Sequence, residues 1–122
     1  MVTENSDNIP HYDAALALSA AGDVPAVRDE IANGILDLFS DKGELAALFE
    51  VSLYRRDPTR SRVLTHRAIG LAKQGAMPSL ELLCKRINTA INSGEFAVAE
   101  ELGRKLSAII ESIRTIVSEN QS

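Results

Sequence analysis

The sequence predicts an all-α protein, an up-and-down antiparallel four-helix bundle with an additional short N-terminal helix. Three observations point there. Apolar residues recur at steps of three and four along most of the 122-residue chain, turn signals punctuate them at short intervals, and no β-type alternation persists beyond a few residues. Short connections make consecutive helices antiparallel neighbours, and the length suits one hydrophobic core.

Residues 1–11 are polar and read as a flexible lead, residues 12–118 as a single bundle domain, and residues 119–122 as a frayed terminus. A short helix over residues 12–21 stops at Gly22. Asp23 then reads as an N-cap with Pro25 in the first turn of a second helix, whose expected stripe is Val24, Val27, Ile31, Ile35 and Leu38 and which runs to about Ser40. Lys42 and Gly43 break it. A third helix is expected from Glu44, with Leu45, Leu48, Phe49 and Leu53 facing inward. At Asp57-Pro58 two readings stand: a capped fresh helix with proline at its first position, or a proline kink in a continuous one.

The segment from Thr59 to Gln74 places Leu64, Ala68 and Leu71 on one side and loosens at Gly75 and Pro78. The next helix starts near Ser79, buries Leu80, Leu83, Cys84, Ile87 and Ile91, and stops at Ser93-Gly94. One long helix from Glu95 to about Val117 is expected to close the bundle, through a seam of Ala99, Leu102, Leu106, Ile109, Ile113 and Ile116.

Composition narrows the function. With 17 acidic and 13 basic residues the formal net charge is −4, and only five residues are aromatic, which argues against nucleic acid as a partner. The lone Cys84 excludes an intramolecular disulfide and fits a reducing compartment. The start lacks a signal-peptide pattern, and no apolar run has the length of a membrane span, so a soluble, cytoplasmic protein without membrane contacts is expected; a monomer is the separate expectation for its assembly. Glycine-rich phosphate loops, His-Glu-x-x-His and the Glu-x-x-His pairs of di-iron bundles are absent from the sequence, and no metal site is assigned. Cys84 reads as a small core hydrophobe, and His11, in the lead, is given no role.

His66 stands apart. At about 100° per residue it lies roughly 160° from Leu64 and Ala68, the expected core positions, so it should face solvent. Within about 60° of it fall Arg62, Val63, Ile69, Gly70 and Lys73, with Arg67 close by in sequence. A glycine one turn from an exposed imidazole permits close approach by another protein. On position alone, the same histidine is an ordinary solvated residue.

The order His66-Arg67-Ala68-Ile69-Gly70, then Gly75-Ala76, then Leu80-Glu81-Leu82-Leu83-Cys84-Lys85-Arg86-Ile87 resembles the histidine-containing phosphotransfer (HPt) family. That family carries a His-x-x-Lys-Gly motif on one helix, a small-residue turn, and a Leu-x-x-Leu-Cys helix. The likeness covers about residues 35–117, including the Leu38-Phe39 approach and the Glu95-Phe96-Ala97-Val98-Ala99 stretch. It implies a phosphorelay carrier without kinase activity of its own. His66 would accept a phosphoryl group from an aspartyl phosphate of one receiver domain and pass it to another, the receivers belonging to response regulators or hybrid histidine kinases. Mg²⁺ would sit on the receiver, and the chain itself would need no cofactor. Ile69 departs from the pattern by replacing the lysine, so Arg62, Arg67 or Lys73 would have to stand in. Asn88, at the family's acidic or amide position, would hydrogen-bond the imidazole or serve merely as a polar rim residue. A degenerate docking module without phosphotransfer and an unrelated helical adaptor or oligomerisation bundle are the alternatives.

Overall fold

The computed structural model describes residues 9–39 and 57–120. Among them every regular element is helical: α1 (Ala14–Ala20), α2 (Pro25–Phe39), α3 (Pro58–Gln74), α4 (Pro78–Asn92), α5 (Phe96–Gly103) and α6 (Leu106–Asn120). The helix expected from Glu44, with Leu45, Leu48, Phe49 and Leu53, lies outside the described residues, as do Ser40 and the Lys42-Gly43 break. Helix α3 packs along α4. Thr65 meets Asn88 while Arg62, earlier in α3, meets Asn92, later in α4, so this pair runs antiparallel. Helices α2 and α6 do the same, since Arg28 reaches the carbonyl of Asn120 while Leu36 and Asp37 meet Arg114.

Local chemistry sets the boundaries. Asp13 caps α1 by accepting from the Leu16 amide at 3.0 Å, and Asp57 caps α3 by accepting from the Arg60 amide at 3.1 Å. Asp57 is extended and Pro58 opens the helix, which selects the fresh-helix reading at that point. Helix α4 closes at Ser93, where Gly94 takes a φ of 75° and the Glu95 amide returns to the Ala90 carbonyl at 2.8 Å.

Asp23 is not the cap of α2. It has a φ of 65° and its amide donates to Leu18 O at 2.9 Å, so with Gly22 it finishes α1 instead. The chain enters α2 from Val24, whose carbonyl accepts from Val27 and Arg28.

All five apolar positions expected of α4 are buried. The other stripes differ from expectation. Helix α2 buries Ala32, Ile35, Leu36 and Phe39 and leaves Val24 and Val27 in solvent. That face is turned by about 90° from the expected one, and the turn brings in Leu36 and Phe39, the latter the largest apolar side chain of the helix. On α3 the buried set is Ser61, Leu64, Thr65, Ala68 and Ala72, with Leu71 only half-buried.

The closing helix is interrupted at Arg104-Lys105, so α5 and α6 replace the one expected rod. Gly103 supplies the weak point, since glycine disfavours a helix interior by about 1 kcal/mol relative to alanine. The Lys105 amide there takes the nearer Leu102 carbonyl, at 3.0 Å. Beyond the break Ile110 and Val117 join Leu106 and Ile113 in the core, while Ile109 and Ile116 flank it.

Both expected frayed ends prove tied down where they are described. Helix α6 runs to Asn120, whose carbonyl accepts from Arg28 at 3.1 Å. In the lead, Pro10 O accepts from the Ser79 amide at 3.1 Å, and just beyond it the Asp13 amide donates to Ala76 O at 2.8 Å. The first contact satisfies an amide that the side chain before α4 leaves open, for Met77 provides no cap. Tyr12 is buried beside these contacts in sequence.

Cys84 is wholly enclosed, and desolvation pushes its thiol from the ordinary 9.0 up to about 12. A raised value in the fold means that the neutral thiol's contribution is complete below pH 9 and is lost as pH climbs towards 12. Denaturant titrations at increasing pH should show stability declining above pH 9 more steeply in the wild type than in Cys84→Ala. The linkage limit for one such group is about 1.4 kcal/mol per pH unit. Equal slopes would mean that the thiol is not held neutral by burial.

Candidate functional site

The small side chains on the inner face of α3 decide what its outer face shows. With Ser61, Thr65, Ala68 and Ala72 turned inward, the centre of the stripe shifts by about 50° from the one expected. That shift carries Ile69 to the flank, where it is half-buried against the core instead of belonging to an open patch with Val63. His66 stays about 140° from the stripe's centre and is exposed, as expected.

Around it Arg62, Val63, Arg67, Gly70 and Lys73 are exposed as well, Val63 by 64%. Arg62 and Gly70 each lie about 6 Å from His66 along the helix axis, and Lys73 about 10 Å. A Cβ built on Gly70 would meet nothing within 4 Å, so the surface one turn from the imidazole is open.

Electrostatically the face is cationic. None of Arg62, Arg67 or Lys73 makes an ion pair among the described residues. Arg62 donates a long 3.4 Å hydrogen bond to the Asn92 side chain, which leans it towards α4. Lys73 sits in the last turn of α3, where the helix dipole favours a cation. It therefore has a structural reason to be there besides any ligand.

Asn88 reaches the same region from α4, but the bond its side-chain oxygen makes is to Thr65, at 2.9 Å, not to His66. Thr65 Oγ1 also lies 2.9 Å from Ser61 O and 3.1 Å from Arg62 O, so one hydroxyl proton is shared among three acceptors. This polar knot ties the residue before His66 to the neighbouring helix and holds the backbone that carries the imidazole. Its members Ser61 and Thr65 were invisible to a search for apolar periodicity.

The arrangement offers an accessible nitrogen nucleophile flanked by positive charge, on a helix that a partner can approach closely at Gly70. Among the described residues no cluster of histidine, cysteine, aspartate and glutamate has the makings of a metal site, and no helix is long and apolar enough to cross a membrane.

Sequence reasoning missed a second cluster entirely. His11 Nδ1 lies 2.6 Å from Ser79 Oγ, with the donor set by the imidazole tautomer, across 68 positions of sequence. Nothing local to either residue signals that meeting.

Gly70 gives a direct test of the geometry. With space for a side chain and helical backbone, Gly70→Ala should raise stability by up to about 1 kcal/mol in denaturant unfolding. A loss of stability would show that the surface beside His66 is not open.

No protein-family model, curated protein or solved structure matches the chain, so the comparisons assign it to no family.

Proposed function

We propose that this chain is a phosphorelay carrier of the HPt type, with His66 as phosphoacceptor between receiver-domain aspartates in two-component signalling. The proposed fold is the up-and-down antiparallel four-helix bundle with an extra N-terminal helix. The observation that carries the reading is the outward His66 with Gly70 open one turn away and, on the same face, cations that make no ion pair among the described residues.

In the proposed step an unprotonated imidazole nitrogen attacks the phosphorus of an aspartyl phosphate. The N–P bond forms as the P–O bond to the aspartate breaks, and the carboxylate leaves. Transfer onward is the reverse on a second receiver. Receiver-bound Mg²⁺ would neutralise the phosphoryl oxygens, leaving this chain to present the nucleophile and supply Arg62, Arg67 and Lys73 as secondary positive charge. Asn88, through Thr65, would hold the helix backbone under His66. The proposed setting is the cytoplasm, with receiver domains as partners and the chain acting as a monomer.

Ile69 favours a second reading. A half-buried aliphatic side chain stands where the family motif has its lysine, and a docking module that binds receivers without taking phosphate would tolerate that change.

Incubation with a phosphorylated receiver domain separates the two. The carrier reading expects acid-labile, alkali-stable phosphate on the wild type and none on His66→Gln, while folding changes by less than about 0.5 kcal/mol. Binding without phosphate uptake would leave the docking module.

The missing lysine can be restored. Ile69→Lys should speed transfer, its aliphatic stem keeping part of the flank contact while the ammonium reaches solvent. If Lys73 stands in for that charge, Lys73→Ala should slow transfer in the natural sequence and matter less once Ile69→Lys is present. Additive effects across the four rates would show that Lys73 plays no such part.

A further inference from the structure

A cleft of about 220 Å³ is bounded by the N-terminal lead, the first half of α4 and the junction of α5 with α6. None of the residues assigned to phosphotransfer lines it. Leu83, Leu102 and Ile109 provide apolar wall, and the hydrogen-bonded His11 and Ser79 form a polar edge. The charged residues in its lining are both cationic, Arg86 and Lys105, in a chain whose net charge is −4.

The pairing of nearby charges sharpens this. Lys85 is bound to Glu81 at 2.8 Å, and Arg104 to Glu101 at 2.8 Å and Glu100 at 3.6 Å. The adjacent Arg86 and Lys105 have no such partner among the described residues. Nearby carboxylates thus neutralise the two cations outside the cleft and leave the two that line it. Lys105 lies in the turn that interrupts the closing helix, and Leu102 and Ile109, on either side of that turn, both line the cleft.

We infer that this cleft binds a small amphiphilic carboxylate, its hydrocarbon body against Leu83, Leu102 and Ile109 and its carboxylate on Arg86 and Lys105. Volume sets the scale. At roughly 30 Å³ per heavy atom in a liquid-like packing, the space suits on the order of seven heavy atoms, close to the size of hexanoate. Guanidinium and ammonium together match one carboxylate. A phosphate monoester is disfavoured by the start of α4. Pro78 has no amide proton, and the Ser79 amide is already given to Pro10 O, so the helix terminus has lost donors that a dianion would use.

The test is an amide-resolved NMR titration of the full chain with sodium hexanoate at constant ionic strength. Saturable shifts are expected at Ser79, Leu83, Arg86 and Lys105, with a Kd on the order of 1 mM for a ligand of this size. Acetate, which lacks the chain, and hexan-1-ol, which lacks the charge, should each bind at least about tenfold more weakly. Arg86→Gln combined with Lys105→Gln should weaken hexanoate on the order of tenfold. Lys85→Gln and His66→Gln should leave it unchanged, the latter because the inference is independent of phosphotransfer. Non-saturating or scattered shifts, acetate matching hexanoate, or an indifferent double variant would each overturn the site. Tighter binding of hexyl phosphate than of hexanoate would overturn its assignment to a carboxylate.

Discussion

The packing of α3 against α4 is the constraint on which the rest depends. Apart from Leu64, helix α3 buries only small side chains, Ser61, Thr65, Ala68 and Ala72, while α4 buries the larger Leu80, Leu83, Ile87 and Ile91. Small side chains on one helix leave room for large ones on the other, as close packing requires. Of the polar members, the Thr65 hydroxyl has three acceptors within 3.1 Å, while the buried Ser61 Oγ has no hydrogen-bond partner among the described residues. Because this interface fixes the rotation of α3, it also fixes which side chains face outward. His66 and Gly70 are exposed because Thr65 and Ala68 are not.

Helix α4 was legible in the sequence because five apolar residues at steps of three and four leave one face to choose. Helix α3 was only half legible. Its inner face is built from a serine, a threonine and alanines, and hydrophobicity alone places the stripe too far towards Leu71 and misjudges Ile69. His66 was placed correctly in spite of this, since it lies far enough from either version of the stripe to be outward in both. Gly103, a residue of poor helix propensity inside an apolar seam, was the available sign that the closing helix breaks. The docking of Pro10, His11 and Asp13 on the α3–α4 turn left no sign, for its bonds are made by backbone groups and by side chains 68 residues apart.

An acidic protein need not present an acidic surface everywhere. The outer face of α3 and the cleft beside α5 and α6 both carry cations without acidic partners among the described residues, while acids elsewhere are used in short-range pairs along α4 and α5. Local positive potential within a negative whole favours anionic groups at defined places. On the face of α3 the anion would be a phosphoryl group brought by another protein. In the cleft it would be a small molecule with its own apolar body. The two surfaces need no common residue.

The central claim is that His66 gives up a phosphoryl group as well as receiving it, which is what distinguishes a relay from a modified surface histidine. The direct measurement starts with the chain phosphorylated on His66 and adds an unphosphorylated receiver domain with Mg²⁺. The account predicts loss of phosphohistidine with matching appearance of aspartyl phosphate on the receiver. Phosphohistidine that decays at the same rate with and without receiver domains, across a panel of them, would contradict it.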